Sequence, residues 1–212
     1  MEEKNRTGNV DEFWEPAEPA TAELKIKRSI FIGHLGVCKN NEDVRAFLEQ
    51  VEAKHRNATH NCWAYCFSAD TEHCSDDGEP SGTAGKPILH AIKQSGMVNL
   101  MVVVTRYYGG VKLGVRGLIE AYGQTAGEVI SKTRRVLRVS SRELAICLPY
   151  SATGDIVRLL EIYGTPDAPA WEYGAEAEVR AEIRLSMAPQ AAAALQELQA
   201  KNLIFSWCWV EQ

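Results

Sequence analysis

The chain has 212 residues, 45% of them hydrophobic, 24% charged and 8% aromatic, with a formal net charge of −5. This composition describes an ordinary soluble globular protein and excludes a disordered or fibrous one. The strongest apolar run, Leu100–Val104, is far shorter than the ~20 residues of a membrane span. Six cysteines are too sparse for a disulfide scaffold, and with no apolar export segment after Glu2 and Glu3 the expectation is a cytoplasmic protein with reduced thiols.

Charge is unevenly distributed. Residues 1–23 are net −5, residues 24–142 carry 17 Lys/Arg against 11 Asp/Glu for a net +6, and residues 143–212 are net −6. A mildly basic middle and an acidic end suggest two modules with different surfaces, the first able to meet an anionic partner.

In chain order, residues 1–22 read as an acidic leader, flexible by default, with Phe13 and Trp14 as candidate anchors. Ile26, Ile30 and Ile32 share one parity and predict a strand. Asn41 is positioned to cap a helix carrying Val44, Phe47, Leu48 and Val51. His60–Ser68 predicts a strand with Asn61, Trp63, Tyr65 and Phe67 on one face and His60, Cys62, Ala64 and Cys66 on the other. Ala69–Gly85 is polar and rich in turn formers, hence a loop or hairpin tip. A short helix is predicted near Pro87–Gln94 and a buried strand at Asn99–Thr105. A long helix follows from about Leu113 to Arg134, with Val115, Leu118, Ile119, Tyr122, Ala126, Val129 and Ile130 as its buried stripe. Its glycines, Gly123 and Gly127, suggest close approach of another element or a partner. Beyond residue 140 the pattern is β-α-β-β-α-β, a ferredoxin-like order. Leu144, Ile146 and Leu148 point inward, and Ala177–Leu185 alternates cleanly with charged residues.

Several constellations carry chemistry. Pro80–Pro87 approaches a phosphate-loop pattern and fails it twice. Pro80 stands where the first glycine belongs, and Pro87 stands where Ser or Thr should hold magnesium. A weaker reading keeps Ser81, Gly82, Thr83, Gly85 and Lys86 as an anion seat at a helix start. The plainer one has Ser81 or Thr83 capping that helix. Asp76, Asp77 and Glu79 lack the spacing of a cation loop. They read as a structural acidic cluster that caps backbone N–H groups or pairs with a cation such as Arg106. Cys62 and Cys66 on one strand lie roughly 13 Å apart, too far to share zinc, whose ligands sit within about 4 Å of each other. His60 and Cys62 form no readable nucleophile pair, so no metal, cofactor or catalytic residue is assigned, and the leaning is against an enzyme. Arg106, Tyr107, Tyr108, Gly109, Gly110, Lys112 and Arg116 form the densest segment. They could stack on bases and reach phosphates, or simply build a strained strand-to-helix turn.

Ser75–Leu89 and Val102–Gly114, with Gly117-Leu118 and Ala121-Tyr122, resemble the signature of the YigZ/IMPACT family. Lys27–Ile32 and His60–Tyr65 add to the resemblance, which covers about residues 23–135. It implies an α+β protein. Residues 23–139 would form a ribosomal-protein-type two-layer α/β sandwich with a left-handed βαβ crossover, and residues 140–212 a ferredoxin-like domain. It also implies two modules similar to neighbouring ones of elongation factor G, which work on the ribosome, whereas the starvation response of eukaryotic relatives does not carry over. With the net +6 charge and the Arg106–Arg116 turn, the expectation is a non-catalytic, translation-linked regulatory protein with RNA or a ribosome-associated protein as partner. The alternative is an enzyme or binder of a small phosphate-containing ligand at Gly82–Lys86. The family supplies no catalytic set. What it suggests is a binding surface at the Gly82–Lys86 loop and the Arg106–Arg116 turn.

Overall fold

The computed structural model describes residues 10–68 and 71–210. They divide into two compact units, Trp14–Leu137 and a second made of residues 10–13 and 138–210. The first nine residues of the expected leader lie outside the described residues. Much of its remainder is strand. β1 (Glu12–Pro16) pairs with β7 (Arg135–Val139), and β2 begins at Ala20. The Arg135 guanidinium stacks 5.0 Å from the Trp14 ring, and the Val98 N–H donates to the Trp14 carbonyl at 2.9 Å.

In the N-terminal unit, β2 (Ala20–Ile26), β3 (Ser29–Val37), β4 (His60–Ser68), β5 (Thr71–Ser75) and β6 (Leu100–Tyr107) form one sheet in the order β2-β3-β6-β4-β5. Every neighbouring pair is antiparallel. Residues 26–32 are thus not one strand. Ile26 pairs with Ser29 across a two-residue turn in which Lys27 takes φ 54°, so parity does not carry from β2 to β3. Phe31 and Leu35 enter the core, while Ile30 and Ile32 are half-buried. β5 lies in the polar stretch expected to be a loop or hairpin tip, and it forms the second strand of a hairpin with β4. It carries no apolar alternation and forms by pairing with β4.

Alternation along β6 builds two cores. Leu100, Val102 and Val104 pack with α2 (Gly85–Ser95) and α3 (Gly114–Ser131). Met101 and Val103 pack with Val44 and Val51 of α1 (Asn41–Lys54). The two-layer expectation describes the α2/α3 face, and α1 adds a partial third layer on the other. The α1 cap is Asn40 rather than Asn41, its side chain accepting from the Asp43 N–H at 2.8 Å. On α3, Leu118, Tyr122, Ala126, Val129 and Ile130 of the stripe are buried, but Val115 and Ile119 are 60% and 42% exposed. The periodicity placed them in the core, whereas the first two turns of the helix bury only Leu118.

In the C-terminal unit, β8 (Ser141–Leu148), α4 (Thr153–Tyr163), β9 (Ala170–Tyr173), β10 (Ala177–Arg184), α5 (Ala188–Ala200) and β11 (Ser206–Trp209) follow the ferredoxin-like sequence. The sheet order is β11-β8-β10-β9, all antiparallel. Leu144, Ile146, Leu148, Val179 and Ile183 face Ile156, Leu160, Ala191 and Leu195 in its core. At the α4 end, Gly164 donates its N–H to the Leu160 carbonyl at 2.8 Å, an approach so close that a Cβ there would lie 2.5 Å from the same oxygen.

Candidate functional site

Strand register determines which loops share an end of the N-terminal sheet. Ile30 pairs with Tyr107, and His60 pairs with Arg106. The segments just before β3, just before β4 and just after β6 therefore leave together. The loop after β5 joins them, because the Asn61 N–H donates to Asp77 Oδ2 at 2.6 Å and His60 Nδ1 lies 2.7 Å from the Asp77 carbonyl. The helices α2 and α3 both begin at this end.

The acidic cluster is the organiser of the loop. Asp76 Oδ2 accepts from the Gly82 N–H at 2.8 Å, and Oδ1 accepts from Ala84 and Gly85 at 2.9 and 2.8 Å. The free donors at the start of α2 are thus engaged by the protein's own carboxylate. Burial raises the Asp76 pKa, but the three N–H donors and Lys86 outweigh it and hold the group below its ordinary value. Neither Ser81 nor Thr83 is the cap. Ser81 is exposed, and the buried Thr83 donates its hydroxyl to the Pro80 carbonyl at 2.7 Å. An anion seat at Gly82, Gly85 and Lys86 would compete with Asp76 for the same N–H groups.

Glu79 joins the two glycine-containing bends. Its Oε1 accepts from Arg106 at 2.5 Å and from the Tyr122 hydroxyl at 2.8 Å. Phe31 packs edge-on against Tyr122, and the Arg106 guanidinium lies 5.5 Å from the Phe31 ring and 5.3 Å from the Tyr108 ring. Arg106 is buried, with no partner for Nε among the described residues. Its expected role as a surface group gives way to an interior one: it spans from β6 to the loop carrying Glu79.

The remaining residues of the dense segment separate into supports and exposed groups. The Tyr107 hydroxyl meets His55 Nδ1 at 2.9 Å, and the Tyr108 N–H donates to the Thr59 hydroxyl at 3.0 Å. At Gly109 a Cβ would overlap the Arg28 carbonyl, so only glycine lets the turn pass the β2–β3 hairpin. Gly110 takes φ 80°. Tyr108, Lys86, Lys112 and Arg116 are exposed, Arg116 pairing with Glu120 at 2.9 Å. Lys27, Arg28 and Arg56 are exposed on the loops of the same sheet end. These three cations, with Thr59, Asn61 and Tyr122, were missed as contributors. Their signal lay in strand register, which sequence spacing does not contain.

Among the described residues no three His, Cys, Asp or Glu side chains gather as a metal-ligand set. The Cys62 thiol donates to the Asp76 carbonyl at 3.0 Å. Burial pushes its pKa up to about 12, helped by Glu79, Asp77 and Asp76 and opposed by a Tyr122 hydrogen bond. A thiol so placed is a packing group rather than a nucleophile.

The profile of the Impact N-terminal domain matches residues 27–130. The IMPACT family member YvyE of Bacillus subtilis (strain 168) is 38% identical over 141 residues, covering 66% of this chain and 65% of that protein. YigZ of Escherichia coli (strain K12) is 38% identical over 149 residues, covering 68% and 73%. A solved structure described as a hypothetical protein aligns over 96% of this chain and 100% of its own, with 30% identity and a TM-score of 0.66. The matched span includes the Asp76 loop, the Glu79–Arg106 pair and the Gly109–Gly110 turn, and with identity at this level across most of YigZ the chain belongs to the IMPACT family.

Proposed function

We propose that the protein is a non-catalytic, translation-linked regulator whose basic sheet end binds RNA. One observation carries this reading. Lys27, Arg28, Arg56, Lys86, Lys112 and Arg116 are exposed on segments leaving one end of the sheet, while Asp76, Asp77 and Glu79 are spent on backbone N–H groups and Arg106. Glu79 is offset by Arg106, and the six exposed cations outnumber the charges of Asp76, Asp77 and Glu120, so the field of this end is net positive. Phosphates are its natural counterpart, and exposed Tyr108 adds a ring on which a base can stack. Family membership supports the translational setting. A small phosphate-containing ligand on the α2 start is disfavoured, because Asp76 already fills that position.

The test is a gel shift with single-stranded RNA and co-sedimentation with ribosomes, using the full chain at low salt. Binding should fall steeply as salt rises. Lys112→Ala and Arg116→Ala should each flatten the salt slope by about 0.7–0.9 for every phosphate that is no longer neutralised. Absence of binding to both at low salt would overturn the reading.

One observation favours a second reading. Val115 and Ile119 are exposed apolar groups on α3 beside Arg116, the composition of a protein-docking surface rather than an RNA one. Ribosome association that survives nuclease treatment would support it.

A further inference from the structure

We infer that the outer edge of β9 in the C-terminal unit takes up an extended peptide in which apolar and basic residues alternate. Among the described residues β9 pairs only with β10, so its other side offers backbone N–H and C=O groups to an added strand. The two faces of this edge differ in chemistry.

On one face stand Trp171 and Tyr173, opposite the buried Val179 and Ala177. Tyr150 joins them. The Tyr150 and Tyr173 rings stack at 6.0 Å, Trp171 and Tyr173 stack at 6.1 Å, and the Tyr150 hydroxyl donates to the Gly174 carbonyl at 2.7 Å. Tyr173 is 64% and Tyr150 50% exposed. This row of rings extends the core past the last strand and leaves an apolar wall uncovered.

On the other face Glu172 stands directly opposite Glu178, both exposed. Like charges directly opposed across a strand pair are destabilising. Neither has an ion pair among the described residues, since the neighbouring Arg180 turns to Glu143 at 3.5 Å. A cation added beside Glu172 would relieve that repulsion. An edge guarded only against association carries charge, proline or a short strand. β9 is short and follows Pro169, but its exposed rings work against such guarding.

Strand geometry unites the two faces. Successive residues of an added strand point to opposite sides. One residue in two would rest on Tyr173 and Trp171, and the residues between would reach Glu172 and Glu178. The occupant is thus a basic, β-forming protein segment and not a nucleic acid, whose phosphates the glutamates repel. The inference does not depend on RNA binding at the N-terminal unit.

The experiment uses the full chain and a fluorescein-labelled octapeptide of alternating valine and lysine, acetylated and amidated, followed by anisotropy. Saturable binding is expected. Glu172→Gln should weaken it roughly twofold to fivefold, the range of one cross-strand pair, and Tyr173→Ala should do the same with an unchanged circular dichroism spectrum. A peptide N-methylated on every residue, keeping its side chains but without N–H donors on either edge, should bind at least about tenfold more weakly. Three results would each overturn the inference: no saturable binding, equal binding when glutamate replaces lysine, or equal binding by the N-methylated peptide. Binding that neither substitution alters would place the peptide elsewhere and refute the site.

Discussion

Glu79 and Arg106 meet at 2.5 Å inside the N-terminal unit, with only 3% and 7% of their side chains exposed. Two charges so far from water are tolerable together and costly apart. Glu79→Gln keeps an oxygen for Tyr122 but strands the guanidinium, and should lower stability by about 3–5 kcal/mol in urea unfolding. Adding Arg106→Met removes the stranded charge, so the double variant should lose less than Glu79→Gln alone. Folded Arg106→Met should bind RNA like the wild type, because the residue supports the surface without being part of it.

Asp76 gives a pH signature of known sign. Its folded-state pKa lies below the ordinary 3.8, so its contribution is complete above the unfolded value and fades as pH falls through the folded one. Asp76→Asn should cost about 1–2 kcal/mol at neutral pH, the value of a lost N-terminal cap. The gap to wild type in unfolding curves should begin to narrow below pH ~4 and close only below the depressed folded-state pKa. Asp76→Ala frees the three N–H groups, so inorganic phosphate should raise the melting temperature of that variant and leave the wild type unchanged.

Along β4 the pattern assigned faces correctly. The alternation of His60–Ser68 put Cys62, Ala64 and Cys66 in one core and Trp63, Tyr65 and Phe67 toward the other. The β-α-β-β-α-β order likewise survives in the sheet β11-β8-β10-β9. Reading across Lys27–Arg28 failed because a two-residue turn starts a new strand, and parity has no meaning through it. That Asp76 caps α2 in particular was not readable, because it reaches the helix start from eight and nine positions away, outside any local capping pattern. The acidic cluster was offered either to backbone N–H groups or to a cation such as Arg106, and the structure divides the two roles between Asp76 and Glu79. That Glu79 and Arg106 were both interior, and not part of a surface, required the packing of Tyr122 and Phe31.

Three glycines should separate by cause. Gly109→Ala places a methyl against the Arg28 carbonyl and should cost more than about 2 kcal/mol through overpacking and weakened strand pairing. Gly110→Ala meets no atom within 4 Å but must hold φ 80°, a backbone cost of about 1 kcal/mol. Gly127 lies in the interior of α3 with open space around it, so Gly127→Ala should stabilise by about 0.5–1 kcal/mol. The order of urea midpoints checks all three at once.

Thiol labelling at pH 8 should divide the cysteines by environment. Cys208 is exposed and should react first with Ellman's reagent, and Cys208→Ser should remove that phase. Cys147 should follow slowly, because its bond to the Glu176 carboxylate, then burial, raise its pKa to about 11. Burial holds Cys38 and Cys62 at about 12, so both should stay unlabelled until the protein unfolds.

Val115 and Ile119 continue the apolar stripe of α3 beyond the reach of its core. Residues already in water lose little when made polar, so Val115→Ser and Ile119→Ser should each shift stability by less than about 0.5 kcal/mol. Val129→Ala, deeper on the same stripe and fully buried, should cost roughly 1–3 kcal/mol. The same two serine variants separate the readings of the basic end. If RNA alone is bound there, gel shifts will be unaffected by Val115→Ser and Ile119→Ser and sensitive to Lys112→Ala. If a ribosome-associated protein docks on α3, nuclease-resistant co-sedimentation will fall in the serine variants while the RNA shift stays intact. Stability measured alongside ensures that either loss reflects an altered binding surface, because neither side chain supports the fold.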